Sequence, residues 1–266
     1  MNKTFYLDKL NDKQKKAVET LNGPVLVLAG AGTGKTRVLT ARLAHLLNKK
    51  LAKPWEILAV TFTNKAANEM KERVQKLLKT DIERMWIGTF HSSGLKILRM
   101  HAETCSLKRD FTVIDTDDQE RLIKQVLEFN NIDVKKYSPS NILWMVQWFK
   151  DKAILPEQSA KYKFKFGKSI NISKIYIDYQ SRLKTLNAAD FGDLLLLPVK
   201  IFRENEDILR KYQEKFKYIL VDEYQDTDTC QDTFLKFLSD KHKNICCVGD
   251  DDQSIYSWRG AEIKNF

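Results

Sequence analysis

The clearest pattern along the chain is a series of short apolar runs, each of which leads into a polar turn. The runs are Pro24 to Leu28, Ile57 to Thr61, Trp86 to Thr89, Tyr218 to Val221 and Ile245 to Val248. Amphipathic stretches such as 37–47 and 64–78 alternate with these runs. Alternation of buried strands with helices is typical of a parallel sheet that helices cover on both faces. The pattern therefore predicts an α/β fold.

A long stretch with a helical pattern, residues 95–189, separates the third apolar run from the fourth. Asp115, Thr116 and Asp117 are candidate caps at the start of its first helix. Three amphipathic faces are formed by Leu122, Ile123, Val126 and Leu127; by Ile142, Leu143, Val146 and Phe149; and by Ile172, Ile175, Tyr176, Tyr179 and Leu183. We expect an all-helical domain at 95–189, inserted into an α/β domain made of 1–94 and 190–266.

The glycine-rich turn after the first run predicts a phosphate-binding loop. It reads Ala29, Gly30, Ala31, Gly32, Thr33, Gly34, Lys35 and Thr36. Glycines let backbone N–H groups turn toward phosphate oxygens, and the following helix directs its N-terminal dipole at the same charge. In the Walker-A pattern Lys35 reaches the β- and γ-phosphates and Thr36 binds Mg²⁺. Ala29 replaces the usual first glycine. A turn that binds nothing is the alternative, and the flanking strand and helix argue against it.

Adjacent carboxylates follow the fourth run, at Asp222 and Glu223. Ligands of open parallel sheets bind at the carboxyl ends of the strands. Asp222 is expected to hold Mg²⁺, and Glu223 to orient and deprotonate the water that attacks the γ-phosphate. Adjacent acids usually lie on a solvated surface. Here an apolar strand precedes them and a phosphate loop lies upstream, so a nucleoside triphosphate site is the better interpretation.

The composition is that of an ordinary globular protein, with 266 residues, 43% hydrophobic and 30% charged residues. A net charge of +10 favours a polyanionic partner such as nucleic acid, although a well-solvated surface has the same signature. The four cysteines show no metal-binding spacing and are expected to be core residues in a reducing compartment. The polar N-terminus resembles neither a signal peptide nor a membrane span, so we expect a cytoplasmic protein.

Together these segments resemble superfamily 1 DNA helicases of the UvrD, PcrA and Rep type. The resemblance extends along the whole chain, and five motifs occur in the family order. They are the segments 10–14, 61–67, 88–91, 222–226 and 248–261, besides the phosphate loop. Tyr224 and Ser257 replace the more frequent Phe and Gly. The resemblance implies a RecA-like P-loop NTPase lobe with a parallel sheet and an inserted helical domain.

The resemblance also implies roles for single residues. Gln14 would contact the adenine edge, Arg37 would lie near the nucleotide, and Gln253 would sense the γ-phosphate. Single-stranded DNA is gripped by stacking bases on aromatic rings while cations pair with phosphates. The residues implied for this track are Phe62, Asn64, Thr89, His91, Tyr256, Trp258 and Arg259. Taken singly, these aromatic and histidine residues would more often belong to a core.

Two features of the predicted helical domain have an open interpretation. Cations alternate with aromatic residues over 161–168, which suits either a contact with duplex DNA or a solvated basic edge. Trp144 and Trp148 are four positions apart, and helix packing is a better interpretation for them than a stacking platform.

The resemblance implies the first lobe of an ATP-dependent DNA helicase that acts in repair or replication, and the 3′-to-5′ polarity rests on the resemblance alone. Its family needs a second RecA-like lobe, whose motifs do not occur in these 266 residues. Because an arginine finger contributes about 10³ to 10⁵ in rate, we expect very slow ATP hydrolysis without a second polypeptide. The alternatives are a module that binds ATP and single strands without moving, and part of a RecB- or AddA-type nuclease-helicase. The second alternative is disfavoured because no nuclease carboxylate cluster is visible.

Overall fold

The predicted alternation of strands and helices is present in the computed structural model, which describes residues 5–30, 32–78, 82, 84–162 and 170–250. The elements in chain order are α1 (Asp12–Glu19), β1 (Val25–Leu28), α2 (Lys35–Asn48), β2 (Ile57–Thr61), α3 (Asn64–Leu78), β3 (Trp86–Thr89), α4 (Phe90–Met100), β4 (Thr112–Val113), α5 (Thr116–Phe129), α6 (Pro139–Asp151), α7 (Ile172–Thr185), β5 (Ala188–Ala189), α8 (Asp193–Glu204), α9 (Glu206–Lys215), β6 (Tyr218–Val221), α10 (Thr229–Ser239) and β7 (Ile245–Gly249). All five predicted apolar runs are strands, which confirms an α/β fold.

The main sheet, within the described residues, contains five parallel strands in the order β1-β7-β6-β2-β3. Leu28 pairs with Gly249 and Val60 pairs with Val221. Parallel strands end at one edge of the sheet, so the turns after all five strands lie along that edge. The turn after β1 is therefore next to the turn after β7. The turn after β6 follows, and the turns after β2 and β3 lie farther along.

Helices α2 and α3 pack against the sheet through a continuous apolar core. Every residue of β2 and β6 is buried, and successive side chains of a strand point to opposite faces, so both faces are covered at the centre of the sheet. The core that contains α2 and α3 includes Leu39, Leu43, Leu46, Ala59, Met70, Val74, Leu220 and Val248. Full burial of a leucine, methionine or valine side chain stabilises the fold by about 1.5 to 3 kcal/mol.

The chain divides into two compact units. Unit 1 takes the described residues in the ranges 1–93, 205–227 and 235–266, and unit 2 takes those in 94–204 and 228–234. The chain passes between the units four times: within α4, between α8 and α9, just before α10 and within α10. The domain boundaries expected from the sequence, 1–94, 95–189 and 190–266, stay a prediction.

Unit 2 has a helical core that matches the sequence pattern. All residues of the three predicted faces belong to one buried cluster of α5, α6 and α7. Asp115 caps α5 by accepting a hydrogen bond from the Asp118 N–H at 2.9 Å. Two additional strands of two residues each, β4 and β5, pair in parallel. Trp148 packs against the core as expected, whereas Trp144 is 57% exposed.

All four cysteines lie among the described residues; each is buried and none forms a disulfide, which confirms their placement in the core. No helix in the described ranges has both the length and the apolar character that crossing a membrane requires.

Gly94 is a site where a close backbone approach requires glycine. A Cβ atom at this position would lie 2.0 Å from the Leu194 carbonyl oxygen and 3.1 Å from its carbonyl carbon. We expect Gly94→Ala to lower the free energy of unfolding by about 1 to 3 kcal/mol, because overpacking outweighs the better helix propensity of alanine. Chemical denaturation of both variants measures this. Gly30→Ala is the control, since its Cβ meets no atom within 4 Å; equal stability of the two variants would contradict the expectation.

Candidate functional site

The predicted phosphate loop connects β1 to α2 in the described structure. Gly32 has a φ of 72° and Gly34 a φ of 89°, a left-handed backbone that favours glycine. Gly34 occupies the N-cap of α2 and provides no side-chain hydrogen bond there. The first N–H groups of α2 therefore lack a side-chain cap and are available to an anion. Ala29, Gly30 and Thr33 belong to the same turn, in which the Thr33 hydroxyl donates to the Gly30 carbonyl at 2.7 Å. Ala31 lies outside the described residues.

Lys35 points toward carboxylates at the ends of two other strands. Its Nζ lies 3.2 Å from Asp250 Oδ2 and 3.9 Å from Glu223 Oε2. Lys35 is 8% exposed, and Asp250, which follows β7, is buried. Parallel pairing of β7 with β1 and β6 brings these groups together. The sequence assigned no role to Asp250, although its position directly after an apolar strand was the available signal.

The side chains of Thr36 and Asp222 meet at the ends of α2 and β6. The Thr36 hydroxyl donates to Asp222 Oδ2 at 3.3 Å, and Asp222 is 3% exposed. Burial, followed by repulsion from Glu223, raises the pKa of Asp222 to about 6. A hydroxyl and a buried carboxylate are oxygen donors of the kind that Mg²⁺ prefers, and Mg²⁺ commonly takes its other ligands from phosphates and water. The donor chemistry at these two residues thus fits the ion.

Gln225 is a site residue that sequence reasoning missed. It lies in the 3₁₀ turn Tyr224–Asp226, directly after the paired carboxylates. Its Nε2 donates to Glu223 Oε2 at 2.7 Å, and its Oε1 accepts from the Asp250 N–H at 3.0 Å. The neighbouring Asp226 is also buried, and burial followed by repulsion from Glu223 raises its pKa to about 6. The motif contains both residues, yet nothing in the pattern shows that the amide bridges two strand ends.

A cavity of about 700 Å³ opens beside the phosphate loop. Loop residues Gly32, Gly34, Lys35 and Thr36 line it together with Glu223, Arg37 and further residues of the N-terminus, α2 and α3. Gln14 instead supports the loop, since its Nε2 donates to the Thr33 carbonyl at 2.8 Å and its Oε1 accepts from the Asn11 N–H at 3.0 Å. The expected contact of Gln14 with adenine stays a prediction.

Comparison with known proteins agrees with this geometry. A family model described as the UvrD/REP helicase N-terminal domain matches residues 10–266. The chain belongs to this family.

Curated relatives of this UvrD/REP helicase domain are similar along nearly its whole length. It is 46% identical over 259 residues to the ATP-dependent DNA helicase PcrA of Staphylococcus aureus, covering 97% of this chain and 35% of the relative. PcrA of Bacillus subtilis shows the same identity and coverage. A probable DNA helicase II homolog of Rickettsia felis is 47% identical, covering 100% of this chain and 40% of the relative. The chain thus spans two fifths or less of the length of these relatives.

Four candidate DNA-binding residues of this UvrD/REP helicase domain lie at or just after the carboxyl ends of β2 and β3. Phe62 and Asn64 follow β2, and Asn64 is exposed. Thr89 ends β3, where its hydroxyl accepts from the Ser92 N–H at 3.1 Å. Burial lowers the pKa of His91 to about 4, so its ring is neutral at pH 7. The strand order places this group on the far side of Asp222 from the phosphate loop.

The remaining predicted site residues fall in segments that the structure does not describe. They are Gln253, Tyr256, Trp258 and Arg259 in 251–266, and most of the basic and aromatic run in 163–169. Their roles stay predictions.

Proposed function

We propose that this chain is the ATP-binding part of a 3′-to-5′ DNA helicase that couples ATP hydrolysis to movement along single-stranded DNA and to duplex unwinding. The observation that supports this most is the convergence on one sheet edge of Lys35 and Thr36 with Asp222, Glu223 and Asp250. Phosphate-binding and water-activating groups are adjacent there, beside a cavity large enough for a nucleotide.

Nucleotide binding would use the phosphate loop and the N-terminus of α2. The cation of Lys35 would exchange Asp250 and Glu223 for the β- and γ-phosphates, which are stronger anions. Thr36 and Asp222 would hold Mg²⁺, which neutralises charge on the phosphates when bound. Arg37 lines the cavity and would lie beside the nucleotide. Gln14 would combine its support of Thr33 with a contact to the base.

Hydrolysis would depend on Glu223 as the group that orients and deprotonates water. Its side chain is 37% exposed, so water reaches the carboxylate. The left-handed backbone of Glu223, with a φ of 53°, turns this side chain away from the strand direction. Gln253 would sense the γ-phosphate from the segment that follows Asp250.

DNA binding would use the groups beyond β2 and β3 together with Tyr256, Trp258 and Arg259. Base stacking on aromatic rings contributes about 1 to 3 kcal/mol per base and tolerates any sequence. The net charge of +10 supports a polyanionic partner. Because these DNA-binding residues would lie next to the nucleotide site, ATP hydrolysis could change the affinity for single-stranded DNA.

Unwinding would require a second lobe in addition to residues 1–266. We propose that residues 1–94 and 190–266 form the first RecA-like lobe, that 95–189 form an inserted helical domain, and that a second lobe supplies arginine fingers and a second DNA grip. More than half of the length of the relatives lies outside the match with this chain. The second lobe would come from sequence of that kind or from a second polypeptide. We place the protein in the cytoplasm, in repair or replication.

The decisive experiment is to measure ATP binding and single-turnover hydrolysis by the chain, with and without single-stranded DNA, beside Lys35→Ala. We expect the variant to bind ATP at least about tenfold more weakly, because it loses a charge-assisted contact with phosphate. Lys241→Ala is the control, because this lysine is exposed and pairs with Glu214 at the surface. Equal ATP binding by Lys35→Ala and the unaltered chain would contradict the proposal. ATP binding without any turnover, even after a second RecA-like lobe is added, would favour the passive nucleotide-binding module.

A further inference from the structure

The side-chain amide of Gln225 connects two strand ends at the candidate site. It is 3% exposed, and both of its polar atoms have partners. The Nε2 group donates to Glu223 at 2.7 Å, with a longer contact of 3.5 Å to Asp226 Oδ2, and Oε1 accepts from the Asp250 N–H at 3.0 Å. A buried amide with every bond directed at site residues is unlike a general packing residue.

We propose that Gln225 is a positioning residue for ATP hydrolysis, which holds the Glu223 carboxylate in place relative to the segment after β7. This inference rests on the proposed function. Gln225 itself contacts no reacting atom. It acts through Glu223, the group that would activate water, and through Asp250, which precedes the predicted γ-phosphate sensor Gln253 by three positions.

The need for such a residue follows from the surroundings of Glu223. Lys35 Nζ lies 3.9 Å from its carboxylate, which is too long for a hydrogen bond, and Lys35 would turn to phosphate when nucleotide binds. The 2.7 Å bond comes instead from Gln225, which lies in the next turn of the chain and has no assigned role in binding phosphate. A carboxylate that is about 1 Å out of place loses on the order of 10²-fold in rate.

Two substitutions separate the two bonds of the amide. Gln225→Met keeps the length of the side chain and removes both bonds. Gln225→Glu keeps an acceptor for the Asp250 N–H but, when ionised, has no donor for Glu223. We expect both variants to hydrolyse ATP about 10- to 100-fold more slowly in single-turnover assays, with the dissociation constant for ATP changed less than about threefold.

Gln213→Met is the matched control. Gln213 also joins two elements of unit 1, since its Nε2 donates to the Phe237 carbonyl at 2.8 Å, but it lies outside the site. Melting temperatures of all three variants separate loss of stability from loss of rate.

A Gln225→Glu variant with the rate of the unaltered chain would overturn the inference, because anchoring of Asp250 would then suffice. A rate loss in Gln213→Met equal to that in Gln225→Met would overturn it as well. Equal ATP binding by Lys35→Ala and the unaltered chain would instead reject the proposed function, and this inference with it.

Discussion

The Glu223→Gln variant is expected to bind ATP as tightly as the unaltered chain and to hydrolyse it about 10² to 10⁴ times more slowly. An amide has nearly the shape of the carboxylate, but it cannot accept the proton of the attacking water. Binding is preserved because Lys35, Thr36 and the N-terminus of α2 remain. The loss of a negative charge 3.9 Å from Lys35 also reduces repulsion of the triphosphate.

Single-turnover hydrolysis with protein in excess over labelled ATP measures the slow rates involved, and a fluorescent nucleotide measures the dissociation constant. Glu206→Gln is the matched control, because it makes the same chemical change at an exposed position. Glu206 lies at the start of α9 and pairs with Arg210. We expect the control to match the unaltered chain in both assays. If Glu223→Gln turned over ATP at the unaltered rate, Glu223 would have no part in the chemical step.

The second large effect is expected in unit 2, where Lys150→Met should lower the free energy of unfolding by about 3 to 5 kcal/mol. Lys150 Nζ lies 2.7 Å from both Asp190 Oδ2 and Asp193 Oδ1, and all three side chains are at most 1% exposed. The Tyr179 hydroxyl donates to Asp190 at 2.9 Å, and Gln180 donates to Asp193 at 2.9 Å. Removal of the Lys150 cation leaves two buried carboxylates whose hydrogen-bond donors are all neutral. An uncompensated buried charge is strongly destabilising.

The pH dependence of this variant provides a second check. Burial, followed by repulsion from Asp190, already raises the pKa of Asp193 to about 6 from 3.8, even with Lys150 present. A carboxyl whose pKa is higher in the folded chain stabilises the fold at low pH, and that contribution is lost as the pH rises from about 4 through about 6. Loss of Lys150 raises this pKa further. The destabilisation by Lys150→Met should therefore be smaller at pH 5 than at pH 8.

Denaturant unfolding of the full chain at both pH values tests the expectation. Lys124→Met is the matched control, because Lys124 lies on α5 in the same unit with its side chain 57% exposed. We expect the control to change stability by less than about 0.5 kcal/mol. Similar stabilities for the two methionine variants would show that the three buried charges contribute nothing as a cluster.

Much of the fold was predictable because it depends on local pattern. The five strands follow from apolar runs of strand length, and α3 begins and ends at the predicted residues 64–78. The glycine-rich loop was recognisable from its residues, and Gly32 and Gly34 have left-handed backbone angles that other residues adopt at a cost. Thr36 and Asp222 were assigned to one site, and their side chains meet at 3.3 Å.

The sequence by itself determined the strand and helix pattern, the position of the glycine-rich loop, the paired carboxylates and membership of the helicase family. The tertiary structure alone decided which distant groups meet. Lys35 contacts Asp250 across 215 positions because β7 lies between β1 and β6, and Lys150 meets Asp190 and Asp193 across 40 and 43 positions. The bridge formed by Gln225 likewise depends on the β6–β7 pairing. Local periodicity indicates which face of a helix or strand is buried. Which side chains meet across a sheet depends on the order of the strands, and the whole fold determines that order.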